Sequence, residues 1–148
     1  MKVRTRIIPI LWTEDDPDDR LLALDAFRGA RASGDLRFVE DGNELLDYLN
    51  RRGRYAVASA APRPSLIVLD LNLPRLDGRE ALREIKSDPA HRDIPVIVLS
   101  TSRSEDDILA SYRLGVSSYL VKPTSYDEMV KLMEALGSYW CDWVELPR

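Results

Sequence analysis

The sequence Ser-Leu-Ile-Val-Leu-Asp-Leu-Asn-Leu-Pro-Arg-Leu-Asp-Gly, residues 65–78, decides the fold of this 148-residue chain. Its four consecutive apolar residues, 66–69, predict a strand that is buried on both faces, as in a parallel sheet. Asp70 ends this strand, and Pro74 prevents a regular element from continuing. Asp77-Gly78 then precedes an apolar periodicity typical of a helix. The stretch therefore predicts an aspartate at the carboxyl end of a central strand, where parallel sheets bind ligands.

The same strand-to-helix pattern occurs along the whole chain. Apolar runs predict further strands at residues 7–13, 36–39, 95–99 and 116–121. Helical patterns follow each strand, the first ending near Ser33-Gly34, the fourth capped by Ser102 or Ser104, and the last opened by Ser125. Residues 56–64, rich in alanine and proline, predict a surface loop. Five βα units in succession predict an α/β fold with a parallel sheet covered by helices on both faces.

Length and composition favour one domain over residues 1–148, with a core at about 7–138 and a carboxyl-terminal extension at about 139–148. The net charge of −4 argues against a nucleic-acid partner. No long apolar run indicates a membrane segment, so we expect a cytoplasmic protein. The single Cys141 excludes an internal disulfide, and with His91, which we expect at the surface, it argues against a zinc site.

Polar residues follow the ends of four predicted strands. They are Glu14 and Asp15 after the first, Asp70 after the third, Ser100 and Thr101 after the fourth, and Lys122 after the fifth. Three carboxylates at one edge would repel one another, and a divalent cation would remove that repulsion. The available ligands are oxygens, which suit Mg²⁺, and Ser100 and Lys122 can donate to phosphate oxygens. The sequence therefore predicts a site for a metal and a phosphoryl group.

This chain resembles the receiver domains of two-component response regulators. The motifs that carry the resemblance are Glu14-Asp15, Asp70, Ser100 and Lys122-Pro123. The resemblance covers nearly the whole chain. It implies a flavodoxin-like (βα)5 fold with strand order 2-1-3-4-5. It also implies a signalling protein rather than an enzyme, one that accepts a phosphoryl group on Asp70 from a sensor histidine kinase and assists its own phosphotransfer and slow autodephosphorylation.

The resemblance also implies a role for each matching residue. Asp15, Asp70 and the main-chain carbonyl of Asn72 would ligate Mg²⁺ or Mn²⁺, with Glu14 acting through water. Lys122 would neutralise the phosphoryl charge, and Pro123 would follow a cis peptide bond. Ser100 and Tyr119 would move on phosphorylation and change the surface of the fourth helix, fifth strand and fifth helix.

A narrower resemblance is to stand-alone regulators paired with phytochrome-type kinases. It rests on residues 14–19, the phrase at 70–79, Ser100-Thr-Ser and a tryptophan-rich tail ending in Leu146-Pro147. That subfamily lacks an output domain, and we expect the same here. The kinase partner would be a bacteriophytochrome, or another sensor kinase. Trp140 and Trp143 are predicted to lie beyond the sheet, where they either fold back or form a homodimer interface.

Two other functional classes fit parts of the pattern. A phosphatase with an aspartyl-phosphate intermediate also uses carboxylates, Mg²⁺ and a lysine, but here the residue two positions after Asp70 is Asn72, which cannot act as a general acid or base. A degenerate receiver that binds partners without phosphorylation is the other alternative, although every acceptor-site position is intact.

Overall fold

The computed structural model describes residues 7–29, 34–71 and 78–147, along which strands and helices alternate. The strands are β1 (Ile8–Thr13), β2 (Gly34–Val39), β3 (Leu66–Asp70), β4 (Val96–Ser100) and β5 (Ser118–Val121). The main helices are α1 (Pro17–Gly29), α2 (Gly42–Leu49), α3 (Gly78–Ser87), α4 (Glu105–Arg113) and α5 (Tyr126–Leu136). No helix in these ranges is long and apolar enough to cross a membrane.

The described strands form one parallel sheet in the order β2-β1-β3-β4-β5, which confirms the predicted topology. The chain first builds outward from β1 to β2 and then crosses to β3 on the other side of β1. The carboxyl ends of β1 and β3 therefore flank the point at which the strand order reverses, where parallel sheets open a crevice. Thr13 pairs with Leu69 and Asp70 with Leu99, so the polar strand ends meet at this edge.

Alternate residues of the central strands enter two apolar clusters, one on each face of the sheet. On one face, Leu11, Ile67, Leu69, Val96 and Val98 pack with residues of α2 and α3 that include Leu45, Leu49, Leu82 and Ile85. On the other face, Ile10, Trp12, Val68, Ile97 and Leu99 pack with residues of α1 and α5 that include Ala26, Phe27, Met129 and Met133. Each fully buried aliphatic side chain contributes about 1.5–3 kcal/mol of transfer free energy, so the unbroken apolar runs of β3 and β4 stabilise both layers at once.

Side-chain caps begin α2, α4 and α5. Asp41 accepts from the amide of Glu44, Ser104 from that of Asp107, and Ser125 from that of Glu128. Of the two serines predicted to cap α4, Ser104 is therefore the one that does so. Gly115, at a φ of +102°, follows Leu114, the C-cap residue of this helix, in the left-handed conformation that glycine adopts without strain.

One predicted boundary and two predicted environments are wrong. Helix α1 ends at Gly29, and Gly34, expected to end that helix, begins β2. Residues 56–64 are not a plain surface loop, because Ala61 is buried there among the residues of one core cluster. His91 is also buried: it packs below the end of α2, where its Nε2 lies 3.2 Å from Asn50 Oδ1.

The carboxyl-terminal segment folds back on the domain in part. Helix α5 continues into a π-helical stretch, Gly137–Trp143, and the fully buried Cys141 and the buried Leu146 join the core cluster under α1 and α5. Trp140 is half-buried against the same cluster, whereas the side chain of Trp143 is 66% exposed. Folding back therefore buries the cysteine and Leu146 but leaves one of the two predicted tryptophans at the surface.

Gly78 brings the start of α3 against the backbone of the central strand. A Cβ added at this position would lie 2.8 Å from the carbonyl oxygen of Asp70 and 2.8 Å from Leu71 Cα. Contacts this close involve backbone atoms that cannot move aside as a flexible side chain would. Only glycine allows α3 to approach β3 so closely.

We expect Gly78→Ala to lower the free energy of unfolding by about 2 kcal/mol, because the added methyl group overpacks this contact. Urea unfolding followed by circular dichroism measures the change. Arg83→Ala, on the exposed side of the same helix, is the control and should change stability by less than about 0.5 kcal/mol. Equal stability of the two variants would contradict the close approach.

Candidate functional site

Lys122 joins two carboxylates at the edge where the strands end. Its Nζ donates to Glu14 Oε1 at 2.8 Å and to Asp70 Oδ2 at 3.3 Å, and Asp19 Oδ2 lies 3.6 Å away. Glu14 follows β1, Asp70 ends β3 and Lys122 follows β5, so the ammonium connects three strands that are not all neighbours. The structure thus brings together Glu14, Asp70 and Lys122, three of the residues that the sequence analysis expected at this edge.

Burial sets the electrostatics of this cluster. Glu14 and Asp70 are only 3% and 6% exposed. Burial raises the pKa of Glu14, an effect that the hydrogen bond and charge of Lys122 oppose and that the charge of Asp70 reinforces. Burial also disfavours the charged form of Lys122, but its hydrogen bond to Glu14 and the charges of both carboxylates outweigh this and raise its pKa above the ordinary value. Two buried carboxylates therefore share the Lys122 ammonium and stabilise its charged form.

Thr13 fixes the backbone beside the central aspartate, a role that the sequence analysis missed. Its hydroxyl donates to the carbonyl of Val68 at 3.2 Å and accepts from the amide of Asp70 at 3.0 Å. The residue is fully buried at the end of β1. Threonine is common at strand ends, so the sequence alone does not indicate this role. It becomes recognisable only when β1 is seen to pair with β3.

The rest of the acidic turn serves mainly to begin α1. Asp16 Oδ1 accepts from the amide of Asp18 at 2.8 Å, just before the first helical residue, Pro17. Asp15 is exposed, and its carbonyl accepts from the guanidinium of Arg20 at 3.3 Å. Asp15 therefore lies at the rim of the cluster, next to the buried Glu14.

Ser100 lies at the end of β4, between the strands that carry Asp70 and Lys122, and it is 2% exposed. Its hydroxyl accepts from the amide of Ser102 at 3.1 Å, and its carbonyl accepts from the amide of Lys122 at 2.8 Å. Tyr119 on β5 is half-buried and donates its hydroxyl to the carbonyl of Ser102 at 2.8 Å. Thr101, by contrast, is exposed. The buried hydroxyl at this strand end is thus that of Ser100.

The structure describes only some of the residues predicted to bind a metal ion. Asn72 lies outside the described residues, and among those residues no three carboxylate, histidine or cysteine side chains are already grouped as a metal site. Lys122 bridges Glu14 and Asp70, so its ammonium also offsets part of the repulsion among the carboxylates. The oxygen donors of Asp15 and Asp70 nevertheless remain of the type that a hard divalent cation requires.

The peptide bond before Pro123 is trans, since the described residues contain no cis peptide bond. The expected cis bond is therefore wrong for this structure. The expectation came from the family resemblance alone, and a trans bond is favoured by about 0.5–1 kcal/mol before proline when nothing else decides the isomer.

We expect Lys122→Met to lower the free energy of unfolding by about 2 kcal/mol at pH 7, because Glu14 then keeps a buried charge without a cation. The substitution also raises the pKa of Glu14 further above its unfolded value. A carboxyl group with a higher pKa in the folded state binds protons more tightly there, so the variant should regain stability as the pH falls through the folded pKa. Urea unfolding at pH 5, 6, 7 and 8 measures this.

The control for this experiment is the double variant Glu14→Gln/Lys122→Met. With no charge at position 14, its stability relative to wild type should vary less with pH than that of the single variant. A loss in Lys122→Met that is the same at pH 5 and pH 8 would contradict the pairing of Lys122 with Glu14.

Comparison with known proteins identifies a family that matches this chain. The profile of the response regulator receiver domain matches residues 10–134. Response regulator Rcp1 of Synechocystis sp. (strain ATCC 27184 / PCC 6803 / Kazusa) is 41% identical over 138 residues, which span 93% of this chain and 92% of that protein.

Solved structures agree with this match. The Mn²⁺-bound form of Rcp1 has a TM-score of 0.85 at 40% identity, with 95% of this chain and 99% of that one covered. The phosphorylated cyanobacterial phytochrome response regulator RcpA has a TM-score of 0.88 at 40% identity, with 97% and 100% covered.

Proposed function

This chain belongs to the response regulator receiver domain family, and from that premise we propose that it accepts a phosphoryl group on Asp70 from a sensor histidine kinase and changes the surface of α4, β5 and α5 in response. The observation that carries the proposal is the Lys122 ammonium held between Glu14 and Asp70 at the carboxyl edge of the sheet. Because this ammonium bonds Asp70, it would lie close to the negative charge that develops on a phosphoryl group transferred to that residue.

The chemistry is a displacement at phosphorus. A carboxylate oxygen of Asp70 forms the new O–P bond while the N–P bond of a phosphohistidine breaks, and the imidazole leaves with the electron pair of that bond. The protein contributes position and charge rather than a proton, because attack by a carboxylate oxygen transfers no proton. The hydrogen bond that the Asp70 amide donates to Thr13 Oγ1 and the contact with Gly78 hold the backbone of the nucleophile during this step.

A divalent cation completes the site in this proposal. Asp15, Asp70 and the carbonyl of Asn72 would hold it, with Glu14 acting through water, and the cation would neutralise charge on the phosphoryl group. The Mn²⁺-bound structure of Rcp1 supports a divalent ion, and the all-oxygen donor set supports Mg²⁺ as well. Lys122 alone offsets only part of the charge, because it faces Glu14, Asp70 and Asp19 together.

The partner we propose is a histidine kinase of the phytochrome type. Support comes from RcpA, which is a phytochrome response regulator, and from the narrower sequence resemblance. No specific observation favours either alternative, an aspartyl-phosphate phosphatase or a receiver that works without phosphorylation. The cytoplasmic location, the absence of a nucleic-acid partner and the single-domain organisation remain predictions.

A homodimer is part of this proposal. Trp143 and Tyr139, in the segment that follows α5, are 66% and 58% exposed. A cleft of about 590 Å³ lies between this segment and the edge strand β5 and is lined by Ser117, Ser118, Leu120, Leu132, Ala135, Leu136, Tyr139 and Trp140. A second copy would cover both the aromatic surface and the cleft next to the unpaired strand edge.

We expect acetyl phosphate with Mg²⁺ to add one phosphoryl group to the wild-type chain and none to Asp70→Asn, as measured by intact mass. A chelator should abolish the addition, and Asp15→Asn should weaken it because it removes a proposed metal ligand. Asp16→Asn is the matched control, since asparagine keeps the helix cap and the position is not a proposed ligand. Addition of phosphate to Asp70→Asn, or addition that is unaffected by chelator, would overturn the proposal.

We expect Trp143→Ala to shift the solution mass of the protein from dimer towards monomer, because tryptophan dominates the energetics of such surfaces. Light scattering with and without acetyl phosphate measures the mass. Val57→Ala removes an exposed apolar side chain elsewhere and should leave the mass unchanged. A wild type that is monomeric in both conditions would refute the dimer and leave the phosphoacceptor proposal intact.

A further inference from the structure

A cavity of about 230 Å³ lies at the amino-terminal edge of the sheet, opposite the candidate site. Asn50 at the end of α2, Pro64 in the segment before β3 and His91 in the turn before β4 all line it. Pro64 stands six positions before Asp70, which ends β3, so the cavity is about 20 Å from that carboxylate. A ligand in this cavity would not compete with a group bound at Asp70.

His91 is the single histidine of the chain, and it lines the cavity although it is only 7% exposed. Asn50 fixes its tautomer. The Asn50 Nδ2 donates to the carbonyl of Leu46 at 2.9 Å, so Asn50 Oδ1, 3.2 Å from His91 Nε2, accepts the hydrogen of that nitrogen. In the described part of the chain, His91 Nδ1 is buried without a hydrogen-bond partner. A polar atom left in this state is one that a bound ion or water satisfies.

Two arginines make the cavity positive. Arg51 and Arg63 both line it, and neither forms an ion pair with a carboxylate of the described residues. Arg63 Nη1 donates to the carbonyl of Ala90 at 2.7 Å, which holds the guanidinium beside the turn before β4 and leaves its other N–H groups available. Burial raises the pKa of the Tyr48 hydroxyl, and the charges of Arg37 and Arg51 oppose this rise. The charge of Arg51 therefore acts on the wall of the cavity.

The acceptors around the cavity are largely used by the protein itself. The carbonyls of Leu46 and Tyr48 accept from the backbone amides of Asn50 and Arg51. The carboxylate of Asp88 opposes the positive charge, because its Oδ2 lies 3.7 Å from His91 Nε2, but its Oδ1 already accepts from the amide of Ala90. The two guanidinium groups outweigh this one carboxylate, so the cavity offers donors and positive charge to a ligand.

We propose that this cavity binds a phosphate group, as the free ion or as part of a small phosphate ester, between the guanidinium groups of Arg51 and Arg63 and beside His91. Phosphate oxygens match the paired N–H groups of a guanidinium. A phosphate group carries about two negative charges, which two arginines balance, whereas a carboxylate carries one. The inference is independent of the proposed function, since it uses none of the residues of that site.

The size of the cavity fits such a ligand. Its volume of about 230 Å³ exceeds that of the roughly 150 Å³ cavity that holds a benzene molecule in another protein. A phosphate group with a short organic chain can therefore enter it, whereas a nucleotide is too large to be enclosed.

The backbone of Arg51 provides a variant that separates binding from folding. Its φ of +52° lies in the left-handed region, which glycine enters without strain and an arginine does not. The substitution Arg51→Gly therefore removes the guanidinium and leaves the backbone in a conformation that the new residue favours.

The test uses the single histidine as a reporter, through the Cε1–H resonance of His91 in the proton NMR spectrum of the untagged chain. Inorganic phosphate, added at neutral pH and constant low ionic strength without a divalent cation, should shift this resonance with saturation, and chloride should not. Acetate should bind more weakly than phosphate. A parallel titration with glycerol 3-phosphate distinguishes the two sources of the group, because the tighter of the two ligands is the better model of the occupant.

We expect Arg51→Gly and Arg63→Gln each to weaken phosphate binding by about tenfold, because each removes hydrogen bonds between charged groups. Arg52→Gln is the matched control. It removes the same charge one position away, but Arg52 pairs with Asp47 and does not line the cavity, so its affinity should equal that of wild type. Asp70→Asn should also bind phosphate as wild type does.

Equal responses of His91 to phosphate and chloride would overturn the inference, as would an affinity that Arg51→Gly and Arg63→Gln leave unchanged. Loss of binding in Asp70→Asn would overturn it too, because the phosphate would then lie at the other edge of the sheet. If Arg63→Gln does not fold, Arg51→Gly decides the question alone. No arm of the experiment involves phosphorylation, so its failure would leave the proposed function untouched.

Discussion

The ammonium of Lys122 between Glu14 and Asp70 is the interaction on which the rest of the site depends. Two buried carboxylates from β1 and β3 would repel each other at the edge of the sheet, and burial strengthens that repulsion. Lys122 removes much of it by reaching from the end of β5 past the end of β4. This reach requires four strands in their observed order, so the fold and the charge balance of the site depend on each other.

The balance of charges around Lys122 also makes the site sensitive to any added charge. The lysine faces three carboxylates within 3.6 Å, counting Asp19, and the cluster as a whole is negative. In the proposed function, a bound divalent cation would make it more positive, whereas a phosphoryl group on Asp70 would replace one negative charge with about two. The carbonyl of Ser100 accepts from the amide of Lys122, so Ser100 is placed to respond to such a change.

Much of the fold could be predicted from local sequence, because the apolar runs of β3 and β4 and the caps of α4 and α5 are set by neighbouring residues. The order of the strands came from the family resemblance and was confirmed. Interactions between distant residues could not be found in this way: Arg79 and Asp107 lie 28 positions apart, and His91 is buried through Asn50, 41 positions earlier. Thr13 was missed for the same reason, since its partners lie on β3.

The fully buried Cys141 gives the carboxyl-terminal segment a chemical reporter. It is the single cysteine of the chain, and it lies in the core cluster beneath α1 and α5. A thiol reagent can reach this sulfur only when the segment after α5 detaches or the domain unfolds. The rate of alkylation therefore measures how often the tail opens, which is a local equilibrium distinct from global stability. A single residue thus allows the docking of the tail to be followed in the native sequence, without an introduced label.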